Sequence, residues 1–257
     1  MQSQAYRITG FAAVMGAVGF MVRWIQSMKI YDEATGLADR GAPINFWVIG
    51  ILVVTLAALA VWTFRLRRFV PARDFRALAG RGIVYRIVGC FAGGVLALSG
   101  AVLLVTAGRY AAPVLQRILA VLQLLGGVSA VLLTANADDT EKTGMRRAAS
   151  VALVLFGCMF MVTVYKANAA NPVVWSFAPE ILALCTSTLA LYYAAGYQFG
   201  QPKPFCGIFF SQAGVFLCMI CVIDQGLTPA AAAYASLALL LGMYGFVQTE
   251  NLARPEA

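Results

Sequence analysis

The chain contains no histidine. That absence excludes Ser-His-Asp and Cys-His nucleophile systems, HExxH zinc sites and histidine proton relays together. Charge is scarce as well: Asp, Glu, Lys and Arg make up 12% of 257 residues, against roughly a quarter in soluble domains. Walker and GxGxxG phosphate loops are missing, and so is the EF-hand order of oxygen ligands. What fills the chain is apolar, with 61% hydrophobic residues and a mean hydropathy of +0.80. A soluble fold of this length has too little interior to hide so much apolar surface, so the bilayer is read as its solvent.

The net charge of +8 raises the question of nucleic acid. The basic residues fall at the ends of apolar runs, as topology determinants do, and form no reading surface; no nucleic-acid partner is expected. The six cysteines, Cys90, Cys158, Cys185, Cys206, Cys218 and Cys221, all lie in or beside apolar segments. That placement reads as free thiols acting as small hydrophobes. Cys218 and Cys221 share a helix face at a ligand-like spacing, but no histidine or second cysteine pair accompanies them. No metal, cofactor or catalytic residue is expected.

Eight apolar runs are long enough to cross a membrane, which takes about 20 residues. They lie at about 8–29, 44–64, 83–107, 112–134, 147–167, 177–198, 205–223 and 229–248. The first does not read as a secretory signal: only Arg7 precedes its apolar stretch, Arg23 follows, and no Ala-x-Ala site closes it. The predicted fold class is therefore all-α, a polytopic transmembrane helix bundle forming a single integral-membrane domain over 1–257. Between spans 2 and 3 lie Arg65, Arg67, Arg68, Arg73, Arg76 and Arg81; between 4 and 5, Lys142, Arg146 and Arg147; between 6 and 7, Lys203. The alternate loops are poorer in basic residues. The positive-inside bias then predicts a multi-pass protein of the cell (plasma or inner) membrane with both termini cytoplasmic.

Helix punctuation agrees with these spans. Pro43, Pro113 and Pro229 stand where helices start, and Thr228 is placed as an N-cap. Gly89 and Gly93 form GxxxG, and Ala12 and Gly16 are similarly spaced. Such residues let helix backbones approach closely, either within the bundle or along a homo-oligomer seam. No internal repeat is visible, so transporter-like symmetry has no support from the sequence.

Ionisable groups at membrane depth are functional candidates. Glu180 is the acid embedded in a predicted span. If its helix starts at Pro172, Glu180 is about 12 Å in at 1.5 Å per residue, and is a proton or cation site. If the helix starts near Ala178, Pro179 and Glu180 sit in the first turn and the acid complements the helix dipole. Arg23 and Gln26 (span 1), Arg117 (span 4), Lys166 (span 5) and Asp224 (span 7) fall in the same outer half. Two readings stand: a polar pocket of Glu180, Arg117, Arg23 and Gln26, with Glu180 paired to Arg117 or Arg23, or arginines that snorkel separately to the headgroups.

The longest outer connection holds Asp32, Glu33 and Asp39, too few and wrongly spaced for calcium, and is a candidate lid over that pocket. On the inner side, residues 65–82 interleave arginine with Phe69, Val70, Phe75 and Leu78. Arg65, Arg67, Arg68, Arg73 and Arg76 are expected to contact anionic lipid. Asp138, Asp139 and Glu141 read as a solvated turn.

The residues "RWIQ" and then "YDEATGLADRGAPI" resemble a segment of uncharacterised bacterial multi-pass membrane proteins, in which an acidic-x-x-Thr-Gly-Leu loop and a Gly-Ala follow the first helix. The likeness covers about 23–44. It implies class and localisation and carries no activity. Function is expected to be non-enzymatic: small-solute binding or transport, or a subunit of a membrane complex through protein partners or self-association. The alternative, a lipid-modifying enzyme, lacks the positioned titratable groups that acid–base chemistry needs.

Overall fold

The computed structural model describes residues 2–29, 43–71, 83–110, 112–135, 143–169 and 174–253. They form eight helices: α1 (Gln2–Lys29), α2 (Pro43–Leu66), α3 (Ile83–Arg109), α4 (Val114–Ala135), α5 (Thr143–Asn168), α6 (Val174–Gln198), α7 (Pro204–Val222) and α8 (Pro229–Glu250). All eight are long and apolar enough to cross a membrane. The predicted all-α class and the eight spans are thus what the chain adopts. Several helices outrun their predicted bounds, α1 by starting at Gln2, α5 at Thr143 and α6 at Val174. Hydropathy registers only the stretch that needs hydrocarbon, whereas the hydrogen-bond ladder continues into polar residues beyond it.

Local chemistry sets the helix starts. The Thr228 hydroxyl accepts from the Ala231 N–H at 3.5 Å and Pro229 follows in the first turn of α8, satisfying one otherwise orphaned donor. Pro204 does the same positional work in α7. Gly200 (φ 71°) and Gly226 (φ 56°) take the left-handed backbone that ends the preceding helical segments, where a side chain would be strained.

The bundle is built around α7 and α8. In their most apolar stretches 67% and 61% of residues are buried, against 17% in α2, which lies at the periphery. Helices α1, α2, α6 and α8 pack on α7, and α3 closes on α8. Phe216, Leu217, Tyr234, Leu237 and Leu241 fill the centre. Polar groups enter this core in fitted pairs. Gln212 of α7 lies against Gly245 of α8, and Gln248 of α8 lies against Gly207 of α7. Glycine leaves the hollow each amide occupies, and Gln212 Nε2 also donates to Thr9 Oγ1 at 2.9 Å.

Helices α3 and α4 meet backbone to backbone. A Cβ on Gly93 would stand 2.9 Å from the Gly127 carbonyl oxygen, and one on Gly100 would stand 2.5 Å from the Leu124 nitrogen. Gly89 faces Thr134 and Met243, and Gly16 faces Met219. The GxxxG residues therefore serve packing inside the bundle, where the absence of a side chain lets two antiparallel backbones touch.

One end of the bundle gathers chain segments far apart in sequence. Val70–Pro71 (β1) pairs antiparallel with Leu252–Ala253 (β2), and Gln4 shares a groove with Arg65, Arg68 and Phe69. Arg147 Nε donates to the Gln198 carbonyl at 3.0 Å at this same end.

Candidate functional site

At the opposite end α7 gives way to a 3-10 turn, Ile223–Gln225, whose consecutive polar residues engage different helices. Asp224 takes α1: Arg23 Nε lies 3.0 Å from both carboxylate oxygens. Gln225 takes α6, its Nε2 donating to Glu180 Oε1. The Arg23 and Asp224 side chains are only 8% and 17% exposed, so each charge depends on the other for the stabilisation that water would supply. Arg23 also donates through Nη1 to Gln26 Oε1 at 2.7 Å, and Gln26 Nε2 donates to Asn45 Oδ1 at 2.7 Å. A hydrogen-bonded line thus runs from α2 through α1 to the turn after α7.

Glu180 is 7% exposed and lies in the second turn of α6, not the first. The helix starts between the two positions weighed from the sequence. Pro179, just before the acid, has no N–H to return to the carbonyl of Trp175, which weakens the ladder only where it begins.

These groups border a cavity of about 550 Å³ between the ends of α1, α3, α4, α5, α6 and α8. Arg23, Asp224, Gln225 and Glu180 supply one side of the lining. Gln116 and Gln123 enter from α4, Thr163 and Asn168 from α5, and Leu103, Leu119, Phe160, Val164 and Phe177 make the apolar remainder. Gln123 is 2% exposed and reaches across to α3, donating to Ser99 Oγ at 2.7 Å.

The sequence-predicted pocket residues divide. Arg23 and Glu180 line the cavity, and Gln26 stands one hydrogen bond behind it. Arg117 does not belong: it is exposed and absent from the lining. The inward stripe of α4 is Gln116, Leu119 and Gln123, and the residue after Gln116 is turned about 100° away by the 3.6-residue period. Arg23 forms an ion pair with Asp224, whereas the sequence reading paired Glu180 with Arg117 or Arg23. Lys166 is exposed at the end of α5. The candidate lid residues Asp32, Glu33 and Asp39 lie outside the described residues, as do Arg73 and Arg76.

No family model, curated protein or solved structure matches this chain. A functional reading therefore rests on the site itself.

Other sequence-predicted groups are placed at the far end of the bundle. Arg65, Arg67 and Arg68 are exposed there. The Arg67 guanidinium lies 5.1 Å from the centre of the Phe64 ring, and Arg68 Nε donates to the Arg65 carbonyl at 3.0 Å. Arg65 and Arg68 edge an apolar groove with Gln4, Trp62 and Phe69. All six cysteines are free thiols, and the Cys218 Sγ lies 3.2 Å from Ser187 Oγ.

Proposed function

We propose that this multi-pass membrane protein binds a small polar solute in the cavity between α1, α4, α5 and α6, as the recognition step of uptake or sensing and without chemical conversion. The observation that carries the reading is the meeting of Glu180 with the Arg23–Asp224 pair at one cavity wall. Ionisable side chains at membrane depth are costly and mark ligand or ion paths, and a volume of about 550 Å³ falls among small-molecule sites of about 300–1,000 Å³.

The test fills the space. Ala230, on the cavity rim at the start of α8, is replaced with Trp. Purified protein is then titrated with small polar compounds while its unfolding temperature is followed. Wild-type protein is expected to be stabilised by at least one compound class and the Ala230→Trp variant by none, with its unliganded melting temperature unchanged. Stabilisation that survives Ala230→Trp would place the solute elsewhere.

The orientation proposed is cytoplasmic termini and an outward-facing cavity, supported by the cluster Arg65, Arg67 and Arg68 at the terminal end. These arginines are also proposed to hold anionic lipid, at about 1 kcal/mol each near a charged leaflet. A C-terminal reporter active only in the cytoplasm should be active. Replacing the three arginines with Gln should lower that signal several-fold, whereas a reporter silent in the wild type would reverse the orientation.

A further inference from the structure

We propose that the ligand of this cavity is a small primary ammonium compound, its charged head against Glu180 and its carbon body against Leu119, Phe160 and Phe177. The inference rests on the solute-site reading above and names the chemistry of the occupant.

Charge bookkeeping gives the sign. Arg23, Asp224 and Glu180 are the ionisable groups among the described residues that line the cavity. Arg23 and Asp224 cancel each other at 3.0 Å. Glu180 takes its hydrogen bond from the neutral amide of Gln225, so an ionised Glu180 leaves the described lining with one net negative charge. In a poorly solvated site that charge favours a cation and opposes a carboxylate ligand.

Hydrogen-bond accounting gives the head group. Several polar side chains around the cavity have already committed a donor within the protein. Thr163 Oγ1 donates to the Met159 carbonyl at 2.8 Å, and Asn168 Nδ2 donates to the Val164 carbonyl at 3.0 Å. Ser27 Oγ donates to the Trp24 carbonyl at 2.8 Å, and Gln123 Nε2 donates to Ser99 at 2.7 Å. A hydroxyl has a single donor, so Ser27 and Thr163 offer a ligand only lone pairs; the amides of Asn168 and Gln123 each keep a carbonyl oxygen and one N–H. The two hydroxyls and the Glu180 carboxylate thus face the space as acceptors alone, which calls for a ligand head rich in donors. A primary ammonium carries three and accepts none.

The apolar remainder gives the body. Leu103, Leu119, Phe160, Val164 and Phe177 border the same space, and a bare inorganic ion would leave that surface without a partner. An alkyl or aryl amine buries it.

The experiment compares four probes of similar size on full-length protein in nanodiscs at constant ionic strength: n-butylammonium, tetramethylammonium, butyrate and n-butanol. Butylammonium is expected to bind at least tenfold more tightly than each of the others, the quaternary ion losing because it has charge but no donor. Glu180→Gln should weaken butylammonium at least tenfold and leave n-butanol unchanged. Asn168→Leu, which keeps Glu180, should weaken butylammonium several-fold, and serves if Glu180→Gln fails to fold. Equal or tighter binding of butyrate or n-butanol, abolished by Ala230→Trp, overturns the ammonium assignment and leaves the solute site standing. Equal binding of tetramethylammonium overturns the donor argument and with it the primary amine. Binding of no probe to wild-type protein overturns both the site and its ligand.

Discussion

Asp224→Ala is expected to destabilise the folded bundle by about 2–3 kcal/mol, between the small worth of an exposed pair and the larger loss when one partner of a fully buried pair is removed, because Asp224 is exposed as a residue while its carboxylate is mostly covered. The deletion itself takes away little packing. Its cost is the guanidinium left behind: Arg23, on α1 and 8% exposed, keeps its bond to Gln26 but loses both carboxylate contacts. A guanidinium that has lost the Asp224 carboxylate must draw water inward or move out toward headgroups, and either response loosens α1 from the turn after α7. Arg23→Met in the same protein should recover most of the loss, because the double variant has neither charge to solvate. A double-mutant cycle read by reversible unfolding in mixed detergent measures the coupling. A cost below about 1 kcal/mol for Asp224→Ala would put this pair with screened surface bridges and sink the argument. Arg117→Ala makes the contrast. Exposed and outside the cavity, Arg117 is expected to change stability by no more than about 0.5 kcal/mol.

Gly127→Ala is expected to cost about 3 kcal/mol, near the upper end for overpacking a well-filled contact. The added methyl would stand 2.6 Å from the Ala97 Cα, with the Ala97 nitrogen nearer still. Those atoms are backbone and cannot turn aside as the end of a side chain would. The helices can relieve the overlap only by moving apart, which also strains the neighbouring contacts of Gly93 and Gly100. Gly50→Ala provides the control, since nothing lies within 4 Å of its added Cβ. There, the higher helix propensity of alanine should leave stability unchanged or raise it by up to about 1 kcal/mol. If the two variants unfold alike, α3 and α4 are not in close contact in the bilayer. The cost should be independent of protein concentration, as expected for packing within one chain.

Much of the architecture was legible because a membrane helix announces itself over about 20 residues of sequence. Thr228 and Pro229 were readable as a helix start for a local reason, since the cap and its partner Ala231 are three residues apart. Site pairing is a different matter. Arg23 and Asp224 are 201 residues apart, and nothing in either neighbourhood encodes the other. Arg117 was a false inclusion because depth alone was considered; helical phase separates it from Gln116, and phase is fixed by what surrounds the helix. Gln123 was missed although its signal was present. A glutamine within the apolar run Leu122–Gln123–Leu124 carries an amide that needs a hydrogen-bond partner in lipid, and its seven-residue spacing from Gln116 already marked a single face. Gln225 gave no such sign, because a polar residue after a helix end is ordinary until its partner is known.

The placement of α7 and α8 at the centre has a consequence in time. Ribosomes deliver the six surrounding helices before either central one, so the periphery enters the membrane with no middle to pack on. At about 5–20 residues per second, the 201 residues between Arg23 and Asp224 take about 10–40 s to make. Throughout that interval Arg23 sits on a membrane-spanning segment before Asp224 has been synthesised. Assembly must therefore be a late gathering of already inserted helices around the two that arrive after them. A chain stopped before α7 would leave six inserted helices and none of the cavity's Asp224 wall.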